Sequence, residues 1–252
     1  MIIHPVIESL KRLRLKGVIE ALECQLKNPE SKNLLFEERL ALLLDNEIGV
    51  RERKRLQTSL KKAKLRHQAF MPDVTYESPR KLDRSLFLSF ESCRWIDEHR
   101  NVLITGSTGT GKSYLADVLA HKACMKGYSV RRLQFPRFFY ELTAAKADGS
   151  YLKMQTDLAK ANVLIMDDLY IAPFSDENRR GLLEIVDDRY NKNSTIVTSQ
   201  LPIDDWHEAL GDATLGDAIL DRLVHNSYKI ALEGPSKRNL QSKLTEKQES
   251  VI

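Results

Sequence analysis

The stretch Gly106-Ser107-Thr108-Gly109-Thr110-Gly111-Lys112-Ser113 constrains this chain more than any other. It matches the phosphate-binding pattern G-x-x-x-x-G-K-[ST], which works only between a strand and a helix: the loop's N–H groups and the helix N-terminus must converge on one anion. The context agrees. The apolar run Val102 to Thr105 enters as a strand, and the helix-forming stretch Tyr114 to Lys126 leaves. Glycines allow close backbone approach, Lys112 bridges the β and γ phosphates, and the Ser113 hydroxyl ligates Mg2+, with Tyr114 adjoining the cradle. The chemistry predicted here is binding of ATP with Mg2+.

A nucleotide of this kind needs a second element to hold the metal and position water. Val163-Leu164-Ile165-Met166-Asp167-Asp168 has that form, a buried strand ending in paired acids. Asp167 is assigned to the magnesium side and Asp168 to the attacking water, because phosphoryl transfer asks the protein for positioning and charge. A further strand, Ser194 to Thr198, ends in Thr198-Ser199-Gln200, one of which should reach the γ-phosphate and the water. With Ser129 to Phe135 and Lys229 to Leu232, five apolar strands alternate with helical segments, which predicts a parallel sheet covered by helices on both faces. A helix before the phosphate loop is expected over Ser85 to Glu98, and a later one over Leu215 to Asn226. The expected domains are a helical module over residues 1–70, a linker and helix over 71–100, an α/β P-loop domain over 101–238 and a polar tail over 239–252.

Charge divides along the same line. The first 70 residues carry 15 Lys and Arg against 9 Asp and Glu, and the remainder 24 against 26, so the excess behind the net +4 lies in the N-terminal quarter. Arg51, Arg53, Lys54, Arg55, Lys61, Lys62, Lys64 and Arg66 are opposed only by Glu52. This composition suits sequence-independent contact with the phosphates of duplex DNA, since no base-reading motif accompanies it. Three separated cysteines and six scattered histidines offer neither a disulfide framework nor a zinc site. No apolar run reaches the ~18–20 residues of a membrane span, and the expectation is a soluble, cytoplasmic protein without membrane partners.

The segments GSTGTGKSYLA, VLIMDDLYIAPFS, STIVTSQLPIDDWHEALGD and LGDAILDRLVHNSYKIALEG, with LKRLRLKGVIEAL and FEERLALLLDNE nearer the N-terminus, resemble the IstB family of insertion-sequence ATP-binding proteins, itself similar to the helicase loader DnaC. The resemblance covers nearly the whole chain. It implies an AAA+ fold of the initiator clade, ATP-dependent homo-oligomers on duplex DNA and a transposase partner. It further implies that Arg222 is an arginine finger serving a neighbouring subunit, that Gln200 or a neighbour acts as sensor 1, that Arg238 acts as sensor 2, and that Arg131, Arg132 and Arg137 line the DNA path. Two features depart from the usual AAA+ pattern. Asp168 stands where many relatives of that fold have Glu, so hydrolysis is expected to be slow, and little chain is left after Leu232 for a lid domain. A helicase loader of the same fold is the nearest alternative, followed by a P-loop kinase acting on a small metabolite and a DNA-binding switch that uses ATP only as a ligand.

Overall fold

The computed structural model describes residues 3–76, 80–170 and 173–236. They form two compact units, Met1–Thr58 and Ser59–Ile252, so the division falls within a long helix and upstream of Phe70. In the first unit α1 (Ile3–Arg12) and α2 (Lys16–Lys27) precede α3 (Phe36–Ala63), the helix that crosses the division. Gly17 lets α2 approach α3 closely: a Cβ on it would lie 2.6 Å from the Glu47 Cα. No side chain at Leu15 caps α2. Instead Glu47 Oε2, from α3, accepts from the N–H groups of Gly17 at 2.7 Å and Val18 at 3.2 Å, and Asn46 Nδ2 donates to the Gly17 carbonyl at 2.8 Å. A carboxylate there satisfies donors that a helix start leaves open.

The second unit adds α4 (Arg84–Ser89), α5 (Arg94–Asp97), β1 (Asn101–Gly106), α6 (Lys112–Met125), β2 (Val130–Gln134), α7 (Arg137–Asp148), α8 (Tyr151–Lys160), β3 (Val163–Leu169), α9 (Asp176–Arg189), β4 (Ser194–Ser199), α10 (Trp206–Leu210), α11 (Ala213–Val224) and β5 (Ser227–Leu232). The five strands make one sheet in the order β2-β3-β4-β1-β5. Every pairing is parallel. Side chains alternate between faces: Leu103, Leu164, Met166 and Val197 join a core with α7, α9, α10 and α11 that includes Trp206 and Leu210, while α6 packs against β1, β3 and β4. β1 lies between β4 and β5, so the loop after it opens inside the sheet rather than at an edge, beyond the carboxyl ends of the strands, where open α/β sheets bind their ligands.

All five expected strands are present. The expected helix over Ser85 to Glu98 is not continuous: it breaks at Cys93, in the left-handed region at φ 61°. That turn lets Phe90 and Trp95 both point inward, with ring centroids 6.2 Å apart and Tyr228 5.1 Å from Phe90. β3 runs on through Asp167 and Asp168 to Leu169. The expectation of little or no lid domain, and the polar tail, concern residues 237–252, which lie outside the described residues.

Gly17→Ala should destabilise the first unit by about 1–3 kcal/mol, because the added carbon meets backbone that cannot rotate away. Urea unfolding followed by helical circular dichroism would check this; an unchanged midpoint would mean that α2 and α3 can part at no cost.

Candidate nucleotide site

The loop after β1 has the conformation its sequence requires. Gly106 has φ +144°, and a Cβ there would lie 2.4 Å from the Leu232 carbonyl oxygen; Gly111, at φ +93°, precedes α6 without a side-chain cap. The first-turn N–H groups of α6 are thereby left to an anion. Lys112 is 5% exposed, and its Nζ donates to the carbonyls of Gly106 at 2.6 Å and Ser107 at 3.0 Å. Thr110 folds the loop on itself by donating from Oγ1 to the Ser107 carbonyl at 2.8 Å. The cleft above has a volume of about 550 Å³, with Lys112, Ser113, Tyr114, Asp168 and Gln200 in its wall, a size suited to a small-molecule ligand.

The paired acids reach this cleft through an irregularity. Successive side chains of a regular strand face opposite sides, which would separate Asp167 from Asp168. Here the β3–β4 register shifts between Met166 and Leu169, and Asp168 is left-handed at φ 59°. Such a bulge re-aims a side chain, and Asp168 joins the cleft wall. Asp167 is fully buried. Its Oδ1 accepts from Ser113 Oγ at 2.8 Å and Thr198 Oγ1 at 2.7 Å, and its Oδ2 accepts from Arg132 Nη2 at 2.6 Å. Burial alone would raise its pKa, but the Arg132 charge and the hydrogen bonds from Arg132, Thr198 and Ser113 hold it below the usual carboxylate range. Asp168 goes the other way: burial first and the negative charge of Asp167 second push it up, against Arg66, Lys112 and Arg132. One acid is held ionised beside a hydroxyl; its neighbour is a better proton acceptor. The Ser113 hydroxyl and Asp167 carboxylate are the hard oxygen donors that Mg2+ takes alongside phosphate and water.

Of the cluster at the end of β4, Thr198 lies beside the acids, its Oγ1 also accepting from the Asp168 N–H at 2.9 Å. Gln200 sits over the phosphate loop, where its Oε1 accepts from Thr108 Oγ1 at 2.7 Å. Ser199 turns the chain by accepting from the Leu201 N–H. Arg222 lies elsewhere. Its carbonyl accepts from Asn101 Nδ2 at 3.1 Å, at the start of β1, whereas the phosphate loop begins at the other end of that strand, roughly 16 Å away at strand rise. Its Nε pairs with Asp187 at 2.6 Å, its Nη1 donates to the Ala218 carbonyl at 2.9 Å, and the guanidinium stands over Tyr190. Arg238 is outside the described residues.

Among the basic residues assigned to DNA, Arg51, Arg53, Lys54, Arg55, Lys61 and Lys62 are exposed on α3 and Lys64 just beyond it, with Arg51 paired to Glu47. Arg137 is exposed beside Glu141 and Arg131 is half-buried. Two are placed otherwise. Arg132 has a side chain 4% exposed and joins Asp117 to Asp167, so it is withdrawn from any DNA path; strand alternation turns it inward where Arg131 turns out. Arg66 reaches the acids of the cleft, 3.1 Å from Asp167 and 3.6 Å from Asp168.

Sequence reasoning passed over Asp117, Arg80 and His67. Asp117 is fully buried in α6 and accepts from Arg132, from the His67 N–H at 3.0 Å and, on its Oδ2, stands 2.7 Å from His67 Nδ1. A lone acid in the apolar helix LADVLAHKA was the available signal. Arg80, 5% exposed, lines the cleft behind Gly111, and burial lowers its pKa.

A sequence profile described as IstB-like ATP binding protein matches residues 8–245. An insertion sequence ATP-binding protein of Sinorhizobium fredii is 45% identical over 241 residues, covering 96% of this chain and 98% of its own; the insertion sequence IS1162 ATP-binding protein of Pseudomonas fluorescens is 43% identical over 203 residues, covering 80% and 88%. The crystal structure of DnaI matches with TM-score 0.58 at 21% identity, over 66% of this chain and 92% of that one. A DnaA replication initiator bound to AMPPCP and single-stranded DNA matches with TM-score 0.55 at 16% identity, over 73% and 56%. At these identities the two structures speak for the fold alone.

Arg132→Ala should cost about 3–5 kcal/mol of stability, because it removes the buried cation that two buried carboxylates share and leaves Asp167 only the partly exposed Arg66. Chemical denaturation of the full chain would measure it; a loss below about 1 kcal/mol would mean that water replaces the guanidinium freely.

Proposed function

Because this chain belongs to the IstB-like family of ATP-binding proteins, we propose that it hydrolyses ATP and acts as a helper of insertion-sequence transposition, assembling as a homo-oligomer on duplex DNA and regulating a transposase. The observation that carries this reading is the meeting of Lys112, the Ser113–Asp167 pair and Asp168 at the carboxyl ends of β1 and β3. Lys112 leaves two backbone carbonyls for the phosphates, a charge-assisted contact stronger than either. Mg2+, held through Ser113 and Asp167, would supply neutralisation of charge on the phosphate oxygens. Asp168 accepts a proton from, or orients, the attacking water, with Thr198 fixing its backbone. Gln200 stands beside the loop where the terminal phosphate would lie.

The position of Arg222, a strand's length from its own phosphate loop, favours action on a neighbour. Its partner Asp187 is 58% exposed, and exposed pairs are worth only about 0–1 kcal/mol, so a neighbour's phosphate can displace it. An arginine supplied in this way is worth roughly 10³ to 10⁵ in rate where it has been removed from other systems. The exposed cations of α3 suit the DNA backbone, whose affinity is set by released counterions.

ATP turnover measured with and without nonspecific duplex DNA tests the whole reading: stimulation by DNA is expected, and turnover stimulated by a small metabolite instead would assign the chain to the kinases. Arg222→Ala should bind ATP without hydrolysing it, and mixing it with Lys112→Ala, which loses ATP binding, should restore some turnover in mixed oligomers. If co-assembly is seen by size and no activity returns, Arg222 does not act across an interface.

Replacing Arg53, Lys54, Lys61 and Lys62 with Ala should weaken DNA binding and flatten its log–log salt slope by about 0.9 for each phosphate that is no longer neutralised. An unaltered slope would move the DNA surface away from α3.

A further inference from the structure

Arg66 has no role in the reading above, yet it enters the cleft at the most sensitive point. Through Nη1 it approaches both acids, Asp167 Oδ2 at 3.1 Å and Asp168 Oδ2 at 3.6 Å, with its side chain 32% exposed to the cleft it shares with Lys112, Thr108 and Gln200. The backbone presenting it is anchored. Next to it, the His67 N–H and ring both bind the buried carboxylate of Asp117 on α6, the His67 ring stands edge-on to Tyr114, and Ala69 is fully buried. The segment is thus fixed to the helix that follows the phosphate loop, with its one long cationic side chain turned toward the acids.

The hold on that side chain is weak at one end. Asp167 already receives Ser113, Thr198 and Arg132, so it keeps its charge balanced without Arg66. The Asp168 contact, at 3.6 Å, is longer than a hydrogen bond should be. A terminal phosphate arriving between Lys112 and Asp168 would offer several anionic oxygens to a planar fork of donors that suits bidentate contact. A diphosphate would not extend that far.

We propose that Arg66 is a γ-phosphate contact supplied by the subunit's own chain, exchanging Asp168 for the terminal phosphate when a triphosphate binds and so freeing Asp168 to address water. The proposal rests on the nucleotide-site reading. Arg66 is a binding and positioning residue: it distinguishes ATP from ADP and uncovers Asp168, rather than transferring a proton itself.

Calorimetric titration of the full chain with Mg2+ and either ADP or the β,γ-methylene analogue of ATP tests it without turnover. Arg66→Ala should weaken the triphosphate analogue by about ten- to a hundredfold, the worth of one hydrogen bond between charged groups, while ADP affinity stays within about twofold. Arg66→Lys should fall between, keeping the charge but losing the fork, and it decides the matter alone if Arg66→Ala does not fold. Equal loss for both nucleotides would make Arg66 a structural tie, and tighter binding of both would make it only a counterion to the acids; either overturns the proposal, as does no change in either. Failure of the underlying reading looks different: the parent would bind neither nucleotide, or Lys112→Ala would bind both as well as the parent, and the proposal would fall with it.

Discussion

Asp167 has no exposed surface, and its two oxygens receive hydrogen bonds from α6, β2 and β4 while it sits at the end of β3. An ionised carboxylate can be buried this way only when fully paired, so Ser113, Thr198 and Arg132 are each constrained by its charge. Arg132 carries the constraint one step further, to Asp117 within α6. The helix that follows the glycine-rich loop is therefore locked, through charge, to the strand that supplies the acids. The geometry of the cleft wall and the stability of the second unit share this network.

The network also explains why the two aspartates differ. Asp167 takes the hydrogen bonds of Ser113, Thr198 and Arg132, so at Asp168 burial and a negative neighbour outweigh the charges of Arg66, Lys112 and Arg132. Two like acids acquire distinct characters from asymmetric pairing. The bulge at Asp168 is essential to this arrangement, since an unbroken strand would send it to the opposite face.

At the other end of the sheet the demands are different. Arg189 is buried, but it is satisfied by carbonyls of Leu158, Ala161 and Ser194 and by Thr195 Oγ1, which makes it a cap for the end of α8 and the start of β4. Arg222, one helix away, keeps an exposed partner. Buried and half-exposed arginines thus lie within a short distance of each other, one closing a structural gap and the other able to change partner.

The phosphate loop, the five strands and the acid pair were legible in the sequence because each is local: a fixed spacing of glycines and a lysine, and short apolar runs whose length matches a strand. The helical character of the first unit was legible for the same reason. The break at Cys93 was not, since it depends on where Phe90 and Trp95 must pack. Nor could sequence tell which of two adjacent arginines in β2 turns inward, or that Arg66, in a run of cations resembling a solvated helix face, leaves that helix to meet Asp167 and Asp168. Charge composition states how many cations a segment has, but their partners are fixed by distance in three dimensions, where a buried carboxylate many residues away outweighs any neighbour in the chain. The sequence by itself therefore determined the phosphate-loop pattern and the order of the elements, and the tertiary structure alone decided which charges meet beside that loop.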